Sequence, residues 1–214
     1  MITMQIRQSH SRTYSRCKRK FKLQVIDKLI PISKHPALSI GTACHAGRAQ
    51  WLRVGDVGAA LDSAMGSINS EILMYPSLLE KEQETKRIVA ETVTSYCEEY
   101  EKRFPSDSMK ILVIEIPFEL KIAEFDELQL FLFGTIDAEA IFAGKYHVNF
   151  EYKTTKSTLA QYFLEEYMSI QHTTYTFALQ SLSSEKVYGT ILDVSRKPLQ
   201  TKGPEHDHIL IPKT

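Results

Sequence analysis

The 214-residue sequence is poor in cysteine and has no apolar run of the roughly 18 residues that a membrane span requires. Its first residues also lack the apolar segment of a secretory signal peptide. The three cysteines are Cys17, Cys44 and Cys97, and none belongs to a Cys-x-x-Cys pair. This spacing excludes a disulfide framework and a structural zinc site. We therefore expect a cytoplasmic protein with no membrane partner.

Net charge is also absent, because 26 basic residues balance 26 acidic ones. A strongly basic nucleic-acid binder is thus not indicated by the total. The charges are unevenly distributed, however, and residues 1–30 hold a single acid, Asp27, against eight bases: Arg7, Arg12, Arg16, Lys18, Arg19, Lys20, Lys22 and Lys28. This basic start could contact phosphates or could be a solvated segment without a partner.

Hydrophobic periodicity predicts helices over residues 11–26, 39–54, 59–74, 76–104 and 158–182. Strand-like patterns occupy residues 111–120, 128–140, 146–152, 187–194 and 208–211. The order predicts a mixed α/β (α+β) protein with an antiparallel meander at its centre. We expect one domain over residues 1–214, with a helical part at about 11–104 and a catalytic sheet and helix at about 110–194.

Two neighbouring predicted strands carry charged residues in a suggestive order. Asp137 closes the apolar run that contains Gly134, and Glu151 and Lys153 lie two residues apart in the next run. Side chains at i and i+2 of a strand point to the same face, so Glu151 and Lys153 share a face and Tyr152 takes the other. Two acids and an ammonium suit a hard cation and phosphodiester hydrolysis. A surface ion pair is the more common explanation of this motif taken alone.

Further residues in the chain extend this pattern on both sides. Gly41 and His45 are spaced as Gly-x-x-x-His near the start of a predicted helix. Gln171 and Tyr175 lie one turn apart on a later helix and so share a face. Taken alone, His45 among apolar neighbours would more often be a core histidine.

In this order the motifs resemble the RecB-like exonuclease branch of the PD-(D/E)xK nuclease superfamily. The opening segment Ser15 to Phe21 is similar to that branch's Ser…Cys-x-Arg/Lys-x-Phe pattern, and the Gly-x-x-Asp of Gly134 to Asp137 also matches. The resemblance covers most of the chain. It implies a restriction-endonuclease-like core, in which a central mixed sheet is flanked by helices, plus a helical N-terminal region. It also implies a cytoplasmic protein of a bacterial or phage-infected cell.

The resemblance implies roles for the matched residues. Asp137, Glu151, the backbone carbonyl of Tyr152 and His45 would ligate Mg²⁺ or Mn²⁺, and an imidazole ligand makes Mn²⁺ a good alternative. Lys153 would position or activate the attacking water. Gln171 and Tyr175 would orient the DNA backbone or the Lys153 side chain, and Glu115 matches a supporting carboxylate of this branch. Arg16 and Arg19 are candidate substrate contacts from the basic start, and Arg48 could either reach a phosphate or balance the charge of Asp137.

The chain departs from many relatives in this branch in two ways. Their iron–sulfur cluster needs four thiolates, and no cysteine follows Cys97, so no cluster is predicted and Cys17 becomes a packed helix residue. No GxxxxGK[ST] motor motif occurs either. The motifs and the resemblance together predict a DNA exonuclease in recombination, repair or phage DNA processing. It would act on double- or single-stranded DNA. Without a motor of its own, it would act alone, as a homo-oligomer or with a helicase or recombinase. The alternatives are a structure-specific endonuclease or nickase, and an inactive DNA-binding module.

Overall fold

The computed structural model describes residues 2–167, 169–199 and 202–213, which form seven α-helices and a six-stranded sheet. The strands are β1 (Ile2–Ile6), β2 (Met109–Phe125), β3 (Leu128–Phe142), β4 (Tyr146–Thr155), β5 (Val187–Arg196) and β6 (Glu205–Pro212). The helices are α1 (Gln8–Arg16), α2 (Lys18–Phe21), α3 (Pro36–Val54), α4 (Val57–Met74), α5 (Glu82–Arg103), α6 (Leu159–Glu166) and α7 (Ile170–Leu182). Within these residues, no helix has the length and apolar character needed to span a bilayer.

The sheet is mixed. Strands β2, β3 and β4 form the predicted antiparallel meander, β5 lies parallel to β4, and β6 lies antiparallel to β5. Strand β1 pairs in parallel with β3. The predicted mixed α/β class with a central mixed sheet is therefore confirmed.

Strand β3 has different neighbours along its two edges. Strand β2 pairs with β3 over its whole length, so β1 and β4 must share the opposite edge. On that edge β1 covers residues 128–132 and β4 covers residues 138–142. The stretch 133–137 lies between them and has no strand partner there in the described part of the chain. The sheet therefore opens at the point where β3 reaches Asp137.

Helices cover both faces of the sheet. The side chain of Glu151 contacts Gln171 on α7, whereas the ring of its neighbour Tyr152 contacts His45 on α3. Adjacent residues of a strand point to opposite faces, so α3 and α7 lie on opposite faces of β4. Helices α3, α4 and α5 pack together with buried residues of β3 and β4 into the largest core cluster, in which Val93 and Phe150 are fully buried.

The structure differs from the predicted elements at four places. The predicted helix 76–104 begins with a 3-10 segment, Pro76–Lys81, and is α-helical only from Glu82. Strand β1 was not predicted, because five residues without flanking turn signals are recognisable only through their pairing with β3. The predicted helix 11–26 begins at Gln8 and breaks at Cys17, whose backbone is extended. The predicted helix 158–182 is split into α6 and α7, since Ser169 caps a new helix by accepting a hydrogen bond from the Gln171 amide. Met168 lies outside the described residues.

Cys17 itself is placed differently from the prediction. It is exposed rather than packed, and it joins α1 to α2, where its Sγ accepts a 3.4 Å hydrogen bond from the Lys20 amide. The extended backbone at this position turns the thiol out of the helix face on which a packed residue would lie. The other two cysteines are buried.

Candidate active site

The register of β3 and β4 brings the two predicted carboxylates together. The last paired residues are Ala138 and Phe150, and one further step places Asp137 opposite Glu151. Beyond this point β4 continues only with β5, as far as the pair Thr155 and Arg196. The acids therefore lie where two adjacent strands separate, which leaves room for helices to add side chains from either face.

Asp137 is held by one backbone group and one side chain. Its Oδ2 accepts a 3.1 Å hydrogen bond from the amide of Tyr152, and its Oδ1 lies 3.6 Å from Nδ1 of His45. Burial acts to raise the pKa of Asp137, but His45, Lys153 and the Tyr152 amide outweigh it, and the pKa lies below its ordinary value. Asp137 is therefore an ionised carboxylate at neutral pH.

Glu151 is enclosed almost completely, with 1 % of its side chain exposed. Its Oε1 forms an ion pair with the ammonium of Lys153 and accepts a 2.6 Å hydrogen bond from Nε2 of Gln171. Its Oε2 is buried and has no hydrogen-bond partner within the part of the chain that the structure describes. Burial, followed by the charge of Asp137, raises the pKa of Glu151. A second positive group at this oxygen would compensate the buried negative charge of the Glu151 carboxylate.

Lys153 has one fifth of its side chain exposed and points to the same face as Glu151. Burial acts to lower the pKa of Lys153, but the carboxylates of Glu151 and Asp137 outweigh it, so the pKa lies well above its ordinary value. The side chain is therefore an ammonium at neutral pH. In this state Lys153 donates hydrogen bonds and supplies positive charge, and it does not accept a proton.

Helix α7 brings two predicted residues to the Glu151 face. Gln171 lies at its start, next to the capping Ser169, and donates to Glu151. Tyr175 follows one turn later and packs edge-on against Phe118, with 5.9 Å between ring centroids. Burial, and then the charge of Glu151, raises the pKa of Tyr175 to about 12. Tyr175 therefore keeps its hydroxyl proton and can donate a hydrogen bond.

Two further candidates, Arg48 and Glu115, have contacts that their predicted roles do not include. Arg48 is completely buried and donates from Nη1 to the backbone carbonyl of Lys153 at 3.1 Å, so the predicted phosphate contact does not fit its burial. Glu115 lies on β2 opposite Asp137, but its carboxylate binds Arg53 at 2.8 Å. Its backbone has a φ of 54°, which marks a local irregularity of the strand. Its supporting role stays a prediction.

Arginines of the basic start lie beside the site. Two cavities of about 370 and 320 Å³ share Gln8 and Gln171 and lie between α1 and α7. Arg12 and Arg16 line the first cavity, and Arg7 lines the second. All three are exposed. Arg7 and Arg12 were missed as individual candidates, although the uneven charge of the first thirty residues pointed to their segment.

Arg19 is separated from this groove. It lies on α2 and lines another cavity, together with Cys17 and the apolar side chains of Leu23 and Pro31. The break at Cys17 changes the direction of the chain, so Arg16 and Arg19, which would lie one turn apart on one helix, line different cavities. The structure therefore brings Arg16 to Gln171 and does not bring Arg19 there.

The predicted ligands do not form a complete metal site in the described residues, although their chemistry suits one. In residues 2–167, 169–199 and 202–213, no three His, Cys, Asp or Glu side chains surround a common point closely enough to hold one. The donor set is nevertheless suitable, because the buried Glu151 and the partly exposed Asp137 are acids with an imidazole beside them, and among the described residues Oε2 of Glu151 lacks a partner. The ammonium of Lys153 is the positive charge that Glu151 contacts directly.

Comparison with known proteins assigns the family. No curated protein matched the chain. A family model described as the PD-(D/E)XK nuclease superfamily matches residues 6–208. The match includes every residue placed above at the opening between β3 and β4, and it extends over nearly the whole chain. The chain therefore belongs to the PD-(D/E)XK nuclease superfamily.

Proposed function

We propose that this member of the superfamily is a divalent-metal-dependent deoxyribonuclease of the RecB-like branch, acting as an exonuclease. The observation that carries the proposal is the convergence of Asp137, Glu151 and Lys153 at one opening of the sheet, with one carboxylate oxygen of Glu151 buried without a partner. Such a group is unfavourable for folding alone and favourable for binding a cation. Superfamily membership makes phosphodiester hydrolysis the reaction class.

The metal ligands in this proposal are Asp137, Glu151, the carbonyl of Tyr152 and His45. Mg²⁺ is favoured by oxygen ligands, and the imidazole makes Mn²⁺ equally suitable. When bound, such an ion polarises a phosphoryl oxygen and lowers the pKa of a water molecule. The Tyr152 amide fixes the orientation of the Asp137 carboxylate through its 3.1 Å hydrogen bond.

Other side chains supply hydrogen bonds and charge. The ammonium of Lys153 donates to the attacking water or to a phosphate oxygen, and it offsets the charge that develops in the transition state. It does not serve as a base, because its pKa is raised. Gln171 holds Glu151 in place through its 2.6 Å hydrogen bond, and Tyr175 offers a neutral hydroxyl donor on the same helix. Both would orient the DNA backbone.

DNA is the proposed substrate because three arginines line the two cavities that reach Gln171, the first of which is also lined by Glu165 and Glu166. Arg7, Arg12 and Arg16 would bind backbone phosphates, which positions a strand without reading its sequence. The similarity to RecB-like exonucleases favours cleavage from an end, in recombination, repair or phage DNA processing, with a homo-oligomer or a helicase or recombinase as possible partners.

The test uses end-labelled linear DNA, in both single- and double-stranded form, with Mg²⁺, with Mn²⁺ and with excess EDTA. We expect cleavage with either ion and none with EDTA. Asp137→Asn should abolish cleavage, whereas the matched control Asp62→Asn, at an exposed position on α4, should cleave normally. Linear DNA that stays intact with every metal would refute the proposal.

A covalently closed circular DNA separates the alternatives. An exonuclease leaves it intact, whereas an endonuclease or nickase converts it to the linear or open form. An inactive binding module would cleave neither substrate and would bind DNA equally well with EDTA and with Mg²⁺. Cleavage of the closed circle at the rate of the linear DNA would contradict the exonuclease assignment.

A further inference from the structure

Arg48 is a fully buried guanidinium directly beneath the proposed site. It lies on α3, one turn after His45, and none of its surface is exposed. Its Nη1 donates to the carbonyl of Lys153 at 3.1 Å. Its Nε and Nη2 are buried and have no hydrogen-bond partner. The carbonyl of Lys153 is thus the one acceptor that this guanidinium has among the described residues.

A buried charge with so few partners is a poor device for stability. Taking a guanidinium out of water is unfavourable unless hydrogen bonds and opposite charge compensate it, and Arg48 has one hydrogen bond. The stem and fork of Arg48 do pack on aromatic faces, since its Cζ lies 4.6 Å from the ring centroid of Tyr96 and 5.8 Å from that of Tyr152. Apolar side chains could fill the same space, so packing alone does not account for a guanidinium here.

Arg48 contacts the segment of β4 that includes Tyr152 and Lys153. The amide of Tyr152 donates to Asp137, and the carbonyl of the next residue, Lys153, accepts from Arg48. The ring of Tyr152 lies against both His45, at 4.7 Å between centroids, and Arg48. His45 and Arg48, one turn apart on α3, therefore both contact the Tyr152–Lys153 segment from the face opposite to the Lys153 ammonium. A shift of α3 against β4 would move His45 and this segment relative to Asp137.

We propose that Arg48 is a positioning residue that fixes α3 to β4, and so holds the Tyr152 carbonyl, the Lys153 side chain and His45 in the geometry that binds the divalent ion. The inference rests on the proposed metal-dependent function and assigns Arg48 no contact with substrate. Groups that orient metal ligands from behind typically change metal affinity or activity by about 10- to 100-fold when they are removed. Arg48 should therefore affect metal binding more than folding.

Arg103 provides a matched control. Its guanidinium lies over the same Tyr96 ring, at 5.0 Å, and it is paired with the buried Asp193 instead of the Lys153 carbonyl. Arg48→Lys and Arg103→Lys are thus the same substitution on the same ring, and only the first removes the planar fork that reaches β4. Arg48→Met is the second test variant, because it removes the donor and the charge together while keeping an unbranched stem.

Mn²⁺ binding to the DNA-free protein is measured by titration calorimetry, together with thermal unfolding and the Mg²⁺ concentration that gives half-maximal cleavage. We expect Arg48→Lys and Arg48→Met to weaken Mn²⁺ binding and to raise the half-maximal Mg²⁺ concentration by about 10-fold or more. Both Arg48 variants should remain folded at the temperature of the titration, which thermal unfolding checks. Arg103→Lys should leave Mn²⁺ binding unchanged.

The outcomes separate this inference from the function on which it rests. Wild-type metal affinity in both Arg48 variants would overturn it while the wild-type protein still cleaves DNA. Equal losses in Arg48→Lys and Arg103→Lys would also overturn it, since they would reflect a general loosening around Tyr96. A wild-type protein that neither binds Mn²⁺ nor cleaves DNA would refute the proposed function, and this inference with it.

Discussion

The ion pair between Lys153 and Glu151 should make the site itself a source of stability. Lys153→Met removes the one ammonium that contacts a glutamate with 1 % of its side chain exposed. Breaking a buried pair by removing one partner costs about 3–5 kcal/mol, and the one-fifth exposure of Lys153 puts the expected loss at the lower end, about 3 kcal/mol. In a chain of this size, that loss lowers Tm by roughly 6–12 °C.

The assay is thermal unfolding of wild type, Lys153→Met, Glu151→Gln and the double variant, each with EDTA and with Mg²⁺. Because the loss comes from an uncompensated carboxylate, adding Glu151→Gln to Lys153→Met should recover about 2 kcal/mol or more, as contacting charged residues couple by this amount. Mg²⁺ should stabilise Lys153→Met more than wild type, since the ion then supplies the missing positive charge. A Tm of Lys153→Met within 2 °C of wild type would contradict this prediction, since it corresponds to a loss of only roughly 0.5–1 kcal/mol.

Three further predictions concern packing, pH and substrate binding. Gly47→Ala should destabilise the protein, because an added Cβ would lie 3.0 Å from the Ala60 carbonyl oxygen. Gly66→Ala should stabilise it by about 0.5–1 kcal/mol, because this helical glycine has open space around it, and urea unfolding measures both changes. Burial and two neighbouring guanidinium groups lower the pKa of His206 to about 3. As the pH falls, the unfolded chain therefore binds a proton at this histidine before the folded protein does. Stability should be full above about pH 6.5 and reduced by about 2 kcal/mol at pH 5, and His206→Gln should remove this loss in unfolding curves at the two pH values. Arg12→Ala should weaken DNA binding without changing sequence preference and reduce the slope of log K against log salt by about 1, and an unchanged slope would exclude a phosphate contact.

Much of the fold was accessible from local patterns. The strands β2, β3 and β4 were predicted because their apolar residues alternate and the turn at residues 143–145 separates the last two. The helices α3, α4 and α5 follow from helical spacing and from punctuation such as Gly55, which ends α3 in a left-handed conformation. Strand β1 was missed because its five residues become a strand only through pairing with β3, more than a hundred residues away.

The candidate site was likewise predicted only in part from the sequence. Spacing alone placed Glu151 and Lys153 on one face, and the resemblance named Asp137, His45 and Gln171 as their neighbours. The contacts among these residues depend on the register of β3 with β4 and on the packing of α3 and α7 on opposite faces. No sequence pattern within one element carries that information.

Arg48 is the clearest example of a residue whose environment the sequence did not predict. From the sequence it was one more arginine near a proposed phosphate site, because a residue type states a charge but not an environment. In the structure that guanidinium is fully buried and donates to the Lys153 carbonyl. The sequence by itself determined which chemical groups the protein has and in what order. The tertiary structure alone decided which of them face one another, since the burial, strand register and helix packing that set these contacts arise between segments far apart in the chain.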